Sequence, residues 1–540
     1  MPDLAFPLDN SDTDPKRHAR LDAQNWAILA LSVTAACGLL WTAAHAPHPL
    51  VMLGAVLAFA FVGNTIFSLL HEAVHAKFAG SPFANALAGH LSAAFFPTSF
   101  TLQTALHLTH HRNNRSDVER FDYIGPDENV PLKTMQWFTI LTGLYWVSIP
   151  LFWVFYAFFG SLVPWERLMP SEGRFARQTS AGAFLDSARK LPINRIRIEL
   201  AASLSVQAAL YYALDLTVAG WLACYFAFGL MWSSLQYADH AFSALCRHEG
   251  AWNLKVGRLT RAMFLNYHDH LGHHRDFSIR WQDLPSHAHA GVKRGWIAML
   301  YLMWRGPRLL PGSEQNSRRA RQLEWTVLAC HMLVFAAAFQ LLYAIASGDY
   351  STRSRYFDLS LPVDALAPFL PLWSLAYVSI GPLLMVAALA LRKPERTLPF
   401  LAALLIQLIV GFLCFLAFPV ATMPVPAVVM TEFEAAVFSI ADGINLTGNM
   451  MPSLHVAFAI SAAWVAGPRV GTVAQFALWA WAAAICASTW LIHQHWVLDI
   501  VGGAMLAIIV MGVLHPWLVR QLARLETEFR PEAPAPAQRS

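Results

Sequence analysis

The sequence predicts an all-α, polytopic membrane protein made of two helical domains. Three observations predict it. The 540-residue chain is 56% hydrophobic and only 13% charged, with mean hydropathy +0.42, where soluble globular chains carry about 25% charged residues. Apolar runs of about 20 residues, long enough to cross a bilayer as helices, recur along the whole chain. A polar, arginine-rich segment at 305–322 (Arg305, Arg308, Arg318, Arg319, Arg321) interrupts them near the middle. The length leaves room for two domains. The net charge of +4 is small and dispersed, which argues against nucleic acid as a partner.

Residues 1–24 are polar and read as an N-terminal tail, and no cleavable signal peptide is expected. Runs at 26–46, 49–70, 199–214 and 217–236 predict four spans and a first domain at 25–304. The stretch 135–163 is apolar but contains Pro150, which predicts a bent hairpin or a surface-lying helix there. The shorter run 85–100 is expected along the membrane interface. The segment 305–322 reads as a basic linker. Runs at 325–346, 369–391, 398–419, 452–467, 474–492 and 499–519 then predict a six-helix domain at 323–522, and the Pro/Ala-rich tail 523–540 is expected to be disordered. Cys37, Cys224, Cys246, Cys330, Cys414 and Cys486 form no CxxC pair and read as small buried hydrophobes.

Basic residues set the expected orientation. Lys16, Arg17 and Arg20 place the N-terminus in the cytoplasm, and Arg167, Arg174, Arg177, Arg189, Lys190, Arg195 and Arg197 place 164–198 there too. In the second half Arg392, Lys393, Arg396, Arg469, Arg520 and Arg524 fall on the same side, whereas the acidic segment 420–451 (Glu432, Glu434, Asp442) falls outside. Both termini are therefore expected in the cytoplasm, with the chain in a bacterial inner membrane.

Three histidine clusters stand at the cytoplasmic ends of the first-half runs: His71-Glu72-Ala73-Val74-His75, His107-Leu108-Thr109-His110-His111 and His270-Leu271-Gly272-His273-His274. Neutral imidazole is the commonest metal ligand at physiological pH. His71 and His75 are four apart, on one helix face; His107 and His110 are three apart, again on one face, and the third cluster repeats that spacing. Imidazole suits Zn, Cu, Fe and Ni alike. Eight histidines exceed what one four-coordinate zinc uses, so two metals fit better. His71-Glu72-His75 alone also matches the HExxH pattern of a zinc protease, with Glu72 as base, which keeps a membrane metalloprotease as an alternative and a transporter as another. His90 reads as a packed interfacial histidine, and His248, His287 and His289 as solvated loop residues.

The three boxes resemble those of the integral-membrane fatty acid desaturase and hydroxylase family over roughly 25–300, with Asn266-Tyr267 before the third box and Leu284-Pro285 after it. About thirty residues before the third box stands Gln236-Tyr237-Ala238-Asp239-His240, where acyl-CoA desaturases of the family have Asn-x-x-x-His. The resemblance implies two non-haem irons and O2 as cofactors, held by His71, His75, His107, His110, His111, His240, His270, His273 and His274. Gln236 in place of the asparagine and His268 beside the third box are candidates for supporting the ligands. The resemblance further implies desaturation or hydroxylation of a lipid chain. No HPGG-like cytochrome b5 signature is present, so electrons are expected from a separate donor of ferredoxin or cytochrome b5 type.

The second half holds Met451-Pro452-Ser453-Leu454-His455 at one span start, and Ser488 through His493, His495 and Asp499 across a span end. His495 and Asp499 are four apart and can face each other on a helix. A carboxylate bonded to imidazole fixes its tautomer and raises its basicity, as a histidine nucleophile requires, and His455 could protonate a leaving oxygen. The pattern resembles the type 2 phosphatidic acid phosphatase superfamily over roughly 325–520, which implies His495 as nucleophile, Asp499 as its support and His455 as acid, with no cofactor. Thr489 stands where the family has a phosphate-holding Arg, and its Lys/Arg-Pro first motif is not recognisable, with Phe418-Pro419 through Pro424-Val425-Pro426 as its remnant. The Ser-Thr version, with His493 beside His495, looks more like the inositolphosphorylceramide synthase branch, which transfers a phospho-headgroup. Ser453, Ser488 and His493 are candidates for substrate contact, and Arg353 and Arg355 for supplying positive charge. The expectation is a bifunctional enzyme acting on a membrane lipid. An oxidase whose second half is a non-catalytic lipid-binding scaffold is the other reading.

Overall fold

The structure, a computed structural model, describes residues 14–163, 181–288, 293–310, 317–346, 356–444 and 448–529. His289, Arg353 and Arg355 lie outside the described residues, as do Arg167, Arg174 and Arg177. The protein is almost wholly helical and divides into two compact units between Ser317 and Arg318. Eight helices among the described residues are long and apolar enough to cross a membrane, and one bent pair adds a ninth if counted as a single span.

The first unit starts with α1 (Pro15–His45) and α2 (Pro49–Val74). Each opens on a proline, whose missing N–H costs nothing in a first helical turn, and Asp14 caps α1 by accepting from the Lys16 amide at 3.0 Å. There follow α3 (Pro82–Phe95), α4 (Phe100–Asn113), β1 (Tyr123–Ile124), α5 (Val130–Leu141), α6 (Leu144–Phe159), α7 (Ala181–Arg189), α8 (Ile193–Ala213) and α9 (Val218–Ala238). Beyond them lie β2 (Asn253–Lys255), α10 (Arg258–Met263), α11 (His270–Arg275), β3 (Lys293–Gly295), α12 (Trp296–Met303) and β4 (Arg308–Leu309). Helices α1, α2 and α9 share the main core, where Phe59, Phe67, Leu70, Phe228 and Trp232 are buried together. Two short parallel pairs, β1 with β4 and β2 with β3, tie the loops at the histidine-bearing end. Part of the expected 305–322 linker is thus built into the first unit, because Arg308 and Leu309 pair with Tyr123 and Ile124.

Two expectations change here. Helices α5 and α6 are bent by 98° at Thr142–Gly143, not at Pro150, which lies inside α6. Gly143 has φ 75°, a left-handed conformation natural to glycine, and a Cβ there would lie 2.8 Å from the Leu230 backbone of α9. Helix α8 carries Arg195, Arg197 and Glu199 in its first turns, which keeps it outside the eight membrane-length apolar helices.

The second unit comprises α13 (Ser317–Ala346), α14 (Ile380–Leu391), α15 (Pro394–Ala417), α16 (Glu432–Ile444), α17 (Leu454–Ala466), α18 (Thr472–Leu491), α19 (Val497–Ile509) and α20 (His515–Glu528). A π-helical turn at Val510–Leu514 joins α19 to α20 in one continuous helix. It runs to Glu528 and so extends past the expected start of a disordered tail at 523, since Leu522 and Leu525 are buried against the unit. The run expected as a span at 452–467 is only the 13-residue α17, roughly 20 Å long where the hydrocarbon layer is about 30 Å thick. It is apolar because α14, α15, α18 and α19 pack round it. A Cβ on Gly503 of α19 would collide with the Ser453 carbonyl, so this glycine lets α19 approach the start of α17.

Candidate functional sites

The first site forms where four chain segments end. His71 occupies the last turn of α2 and His75 follows it; α4 carries His107, His110 and His111; His240 follows α9; α11 carries His270, His273 and His274. The nine imidazoles gather into two groups. One holds His71, His75, His107, His111 and His273, the other His110, His240, His270 and His274, with the ligand nitrogens of each group within 4.8 Å of one another. The expected pairing by three-residue spacing is corrected. At 100° per residue, four residues return to within about 40° of the starting direction and three to within about 60°. His107 therefore joins His111, and His270 joins His274, while His110 and His273 each turn to the opposite group.

The nitrogens crowd one another closely. His107 Nε2 lies 2.8 Å from His75 Nε2 and 2.9 Å from His111 Nε2, which is 3.2 Å from His273 Nε2. In the second group His270 Nε2 is 3.1 Å from both His240 Nε2 and His274 Nε2. A neutral ring nitrogen offers one proton or one lone pair, so it cannot satisfy two such neighbours at once. A cation at each centre would satisfy the converging lone pairs together. His71 Nε2, His75 Nδ1 and His270 Nδ1 are buried with no hydrogen-bond partner among the described residues. Burial keeps these rings neutral, pushing His273 down to about 3 and holding His107, His111, His240 and His274 well below the ordinary imidazole value. The donor set fits two imidazole-preferring metal ions.

Surrounding groups set the tautomers. His240 Nδ1–H donates to the Gly250 carbonyl at 2.8 Å and His110 Nδ1–H to Glu119 Oε2 at 3.0 Å, which leaves each Nε2 free to ligate. Asp239 is fully buried beside the second group, with Oδ1 3.7 Å from His240 Nε2 and Oδ2 3.8 Å from His270 Nδ1. Burial holds its carboxyl well above the usual carboxylate range. The Tyr267 ring stands 4.9 Å from that of His71 and 4.7 Å from that of His270, and its hydroxyl donates to Gln236 Oε1 at 2.9 Å. A cavity of about 290 Å³ reaches both groups through His107, His110 and His240, and its other walls are largely apolar, including Leu106, Phe152 and Trp232.

The second site lies at the start of α17 and α19. The rings of His455 and His495 are 6.4 Å apart. His495 Nδ1–H faces Asp499 Oδ2 at 3.4 Å, and the same oxygen accepts from the Trp496 amide at 3.0 Å. Tyr377 stacks on His455 at 3.9 Å. The Ser453 amide donates to the Asp499 carbonyl at 3.0 Å, which locks α17 to α19.

Residues 46–307 match the family model for fatty acid desaturase, and residues 364–513 match that for the PAP2 superfamily. The chain carries a fatty acid desaturase domain and a PAP2 superfamily domain. The two domains and the apolar helices together make it a lipid-modifying, multi-pass membrane enzyme. Comparison with curated proteins and with solved structures gives no match.

Within the desaturase domain, all nine histidines singled out in the sequence converge. His268 does not join them: its Nε2 lies 3.7 Å from Asp269 Oδ2, and it belongs to neither group. Gln236 reaches the site through Tyr267 and the cavity wall. In the PAP2 domain, His493 points its nitrogens at the Pro424 and Ala367 carbonyls, at 2.8 and 3.3 Å, so it ties loops and does not join His455 and His495. Ser488 Oγ donates to the Ile485 carbonyl inside α18, and Ser453 caps α17. Glu119, Asp239 and Tyr377 were not legible as site residues, because nothing in their spacing marks them, and Tyr267 was legible only as part of the Asn266-Tyr267 word before the third box.

Proposed function

We propose that the desaturase domain carries out O2-dependent desaturation or hydroxylation of a lipid acyl or alkyl chain at two irons, and that the PAP2 domain cleaves or transfers a lipid phosphate through a histidine nucleophile. The partition of nine imidazoles into groups of five and four carries the first half of this reading. Irons bound there would supply the redox capacity for attack on an unactivated C–H bond. The chain's own residues do the rest. His240 and His110 are held as ligands through Gly250 and Glu119, Tyr267 separates His71 from His270, and the cavity beside His107, His110 and His240 receives the chain and keeps water away from the reacting carbon. The five-imidazole group that includes His71 and His75 speaks against a hydrolytic zinc, which needs an open position. Electrons are proposed to come from a separate ferredoxin or cytochrome b5-type partner on the cytoplasmic side.

In the PAP2 domain Asp499 holds the His495 Nδ1–H, which turns the Nε2 lone pair towards phosphorus. Nε2 forms a bond to phosphorus as the bond to the leaving lipid oxygen breaks, and His455, which burial and His495 push down to about 3 in the free site, gives that oxygen a proton that it takes up when the phosphate anion binds beside it. Water or a lipid hydroxyl then attacks the phosphohistidine, returning its proton to His455 and freeing His495. Lipid mass spectrometry of cells expressing the wild type, His107→Ala and His495→Ala tests both halves, with iron content of the purified chain measured alongside. Loss of chain oxidation in the first variant and of phosphate release or transfer in the second is expected. Unaltered oxidation in His107→Ala would refute the metal assignment.

A further inference from the structure

We propose that the groove between α1, α3 and α8 binds an anionic phospholipid, with an acyl chain along the groove and the phosphate against Arg195. This site is separate from the cavity at the histidines and does not depend on the reaction assigned to them. The groove is the larger of the two cavities described, at about 780 Å³. Its wall is almost entirely apolar, formed by residues such as Leu29 and Val33 of α1, Leu87 and Leu91 of α3, and Ala202 and Val206 of α8.

Its charged groups are confined to one end, where Arg195 and Glu199 stand on the first turns of α8. From Arg195 to Val206 the helix rises roughly 16 Å, about half the ~30 Å hydrocarbon layer. The groove is thus as deep as one leaflet, with a cation where a headgroup would sit.

That cation is held in place. Glu199 accepts from Ser99 Oγ at 2.6 Å, from the Thr101 amide at 2.8 Å and from Thr101 Oγ at 2.7 Å. The same carboxylate accepts from Arg195 Nε at 2.9 Å. Glu199 is therefore fixed by the start of α4 and in turn orients the guanidinium, whose side chain remains 56% exposed. Guanidinium presents paired N–H groups that match phosphate oxygens. Lys190, exposed three residues before α8 begins, adds positive charge at that end, whereas Arg197 turns away to the Ala157 carbonyl of α6; the exposed cations favour a lipid of net negative charge over a zwitterion.

The test uses the full chain in nanodiscs made of equal phosphatidylglycerol and phosphatidylcholine, extracted into detergent and examined by native mass spectrometry. The wild type is expected to retain phosphatidylglycerol at least tenfold over phosphatidylcholine. Arg195→Gln should abolish that preference. Ala202→Trp and Val33→Trp, which fill the groove from opposite walls, should each remove one retained lipid of either kind while the chain keeps its melting profile. Unchanged preference in Arg195→Gln, or unchanged lipid number in the two tryptophan variants, would overturn the proposal.

Discussion

Arg115 grips Asp122 with both arms of its guanidinium, Nη1 to Oδ1 at 2.7 Å and Nη2 to Oδ2 at 2.8 Å, in a pair that is almost completely buried. Nη1 also reaches the Tyr237 hydroxyl at 3.1 Å, and Asp122 Oδ2 accepts from the Phe242 amide at 2.6 Å. The pair joins the segment after the second histidine box to both sides of His240. Removing one partner leaves a buried charge uncompensated, at a cost of about 3–5 kcal/mol. Arg115→Ala and Asp122→Ala are each expected to lower the unfolding temperature in detergent and the iron retained per chain. Wild-type iron content in both would show that the tie between the second box and the segment round His240 does not hold the ligands in place.

His107 sits against both His75 and His111, so its loss opens the five-histidine group at its centre. His107→Ala is expected to lose bound iron and lipid oxidation while keeping the phosphate chemistry; His495→Ala should show the reverse. Paired iron analysis and lipid product assays on the same preparations read both outcomes.

The site should fail in acid. His273 has an ordinary value of 6.5 and is pushed down to about 3 by burial. In the folded chain it stays neutral across that interval, whereas the unfolded chain takes up a proton. Stability contributed by such a group is fully present above about 6.5 and is lost progressively as pH falls towards 3, by about 1.4 kcal/mol per pH unit for each histidine. His107, His111, His240 and His274 are shifted in the same direction. Thermal unfolding of the iron-free protein measured from pH 7.5 to 4.5 should therefore show a falling midpoint, steeper than in a variant with these histidines replaced by glutamine.

Asp499→Asn should leave the PAP2 fold intact, since the amide can still accept from the Trp496 backbone. It removes the charge that holds His495 Nδ1–H, and a loss of roughly 10²–10⁴ in phosphate release or transfer is expected, the usual worth of an oriented acid–base histidine. An activity within threefold of wild type would mean that His495 is oriented by something else.

The bend between α5 and α6 separates two explanations by mutation. Gly143→Ala forces a side chain into a left-handed conformation and against Leu230, and should destabilise by about 1–3 kcal/mol. Pro150→Ala restores an ordinary helical residue inside α6 and should be neutral or stabilising. Chemical unfolding of the two variants side by side decides between them.

Composition alone was enough to establish a helical membrane protein, because apolar runs of bilayer length have few other uses. The histidine boxes and the His495–Asp499 pair were legible because each sets its residue types within about a helical turn, whereas His455, forty residues before His495, was legible only through the resemblance. Tertiary structure decided how those residues combine. His110 and His111 are neighbours in the chain yet serve different groups, because successive side chains diverge by about 100° round a helix. His240, thirty residues from the third box, was expected only through the likeness of Gln236-x-x-x-His240 to the family's Asn-x-x-x-His, and packing decided that it joins His110, His270 and His274. The bend fell at Gly143, where α9 approaches too closely for any side chain, and not at the proline that draws the eye. Glu119, Asp239 and Tyr267 entered the site from loops and helix ends, where contact depends on packing between segments and leaves no periodic signal in the residues themselves.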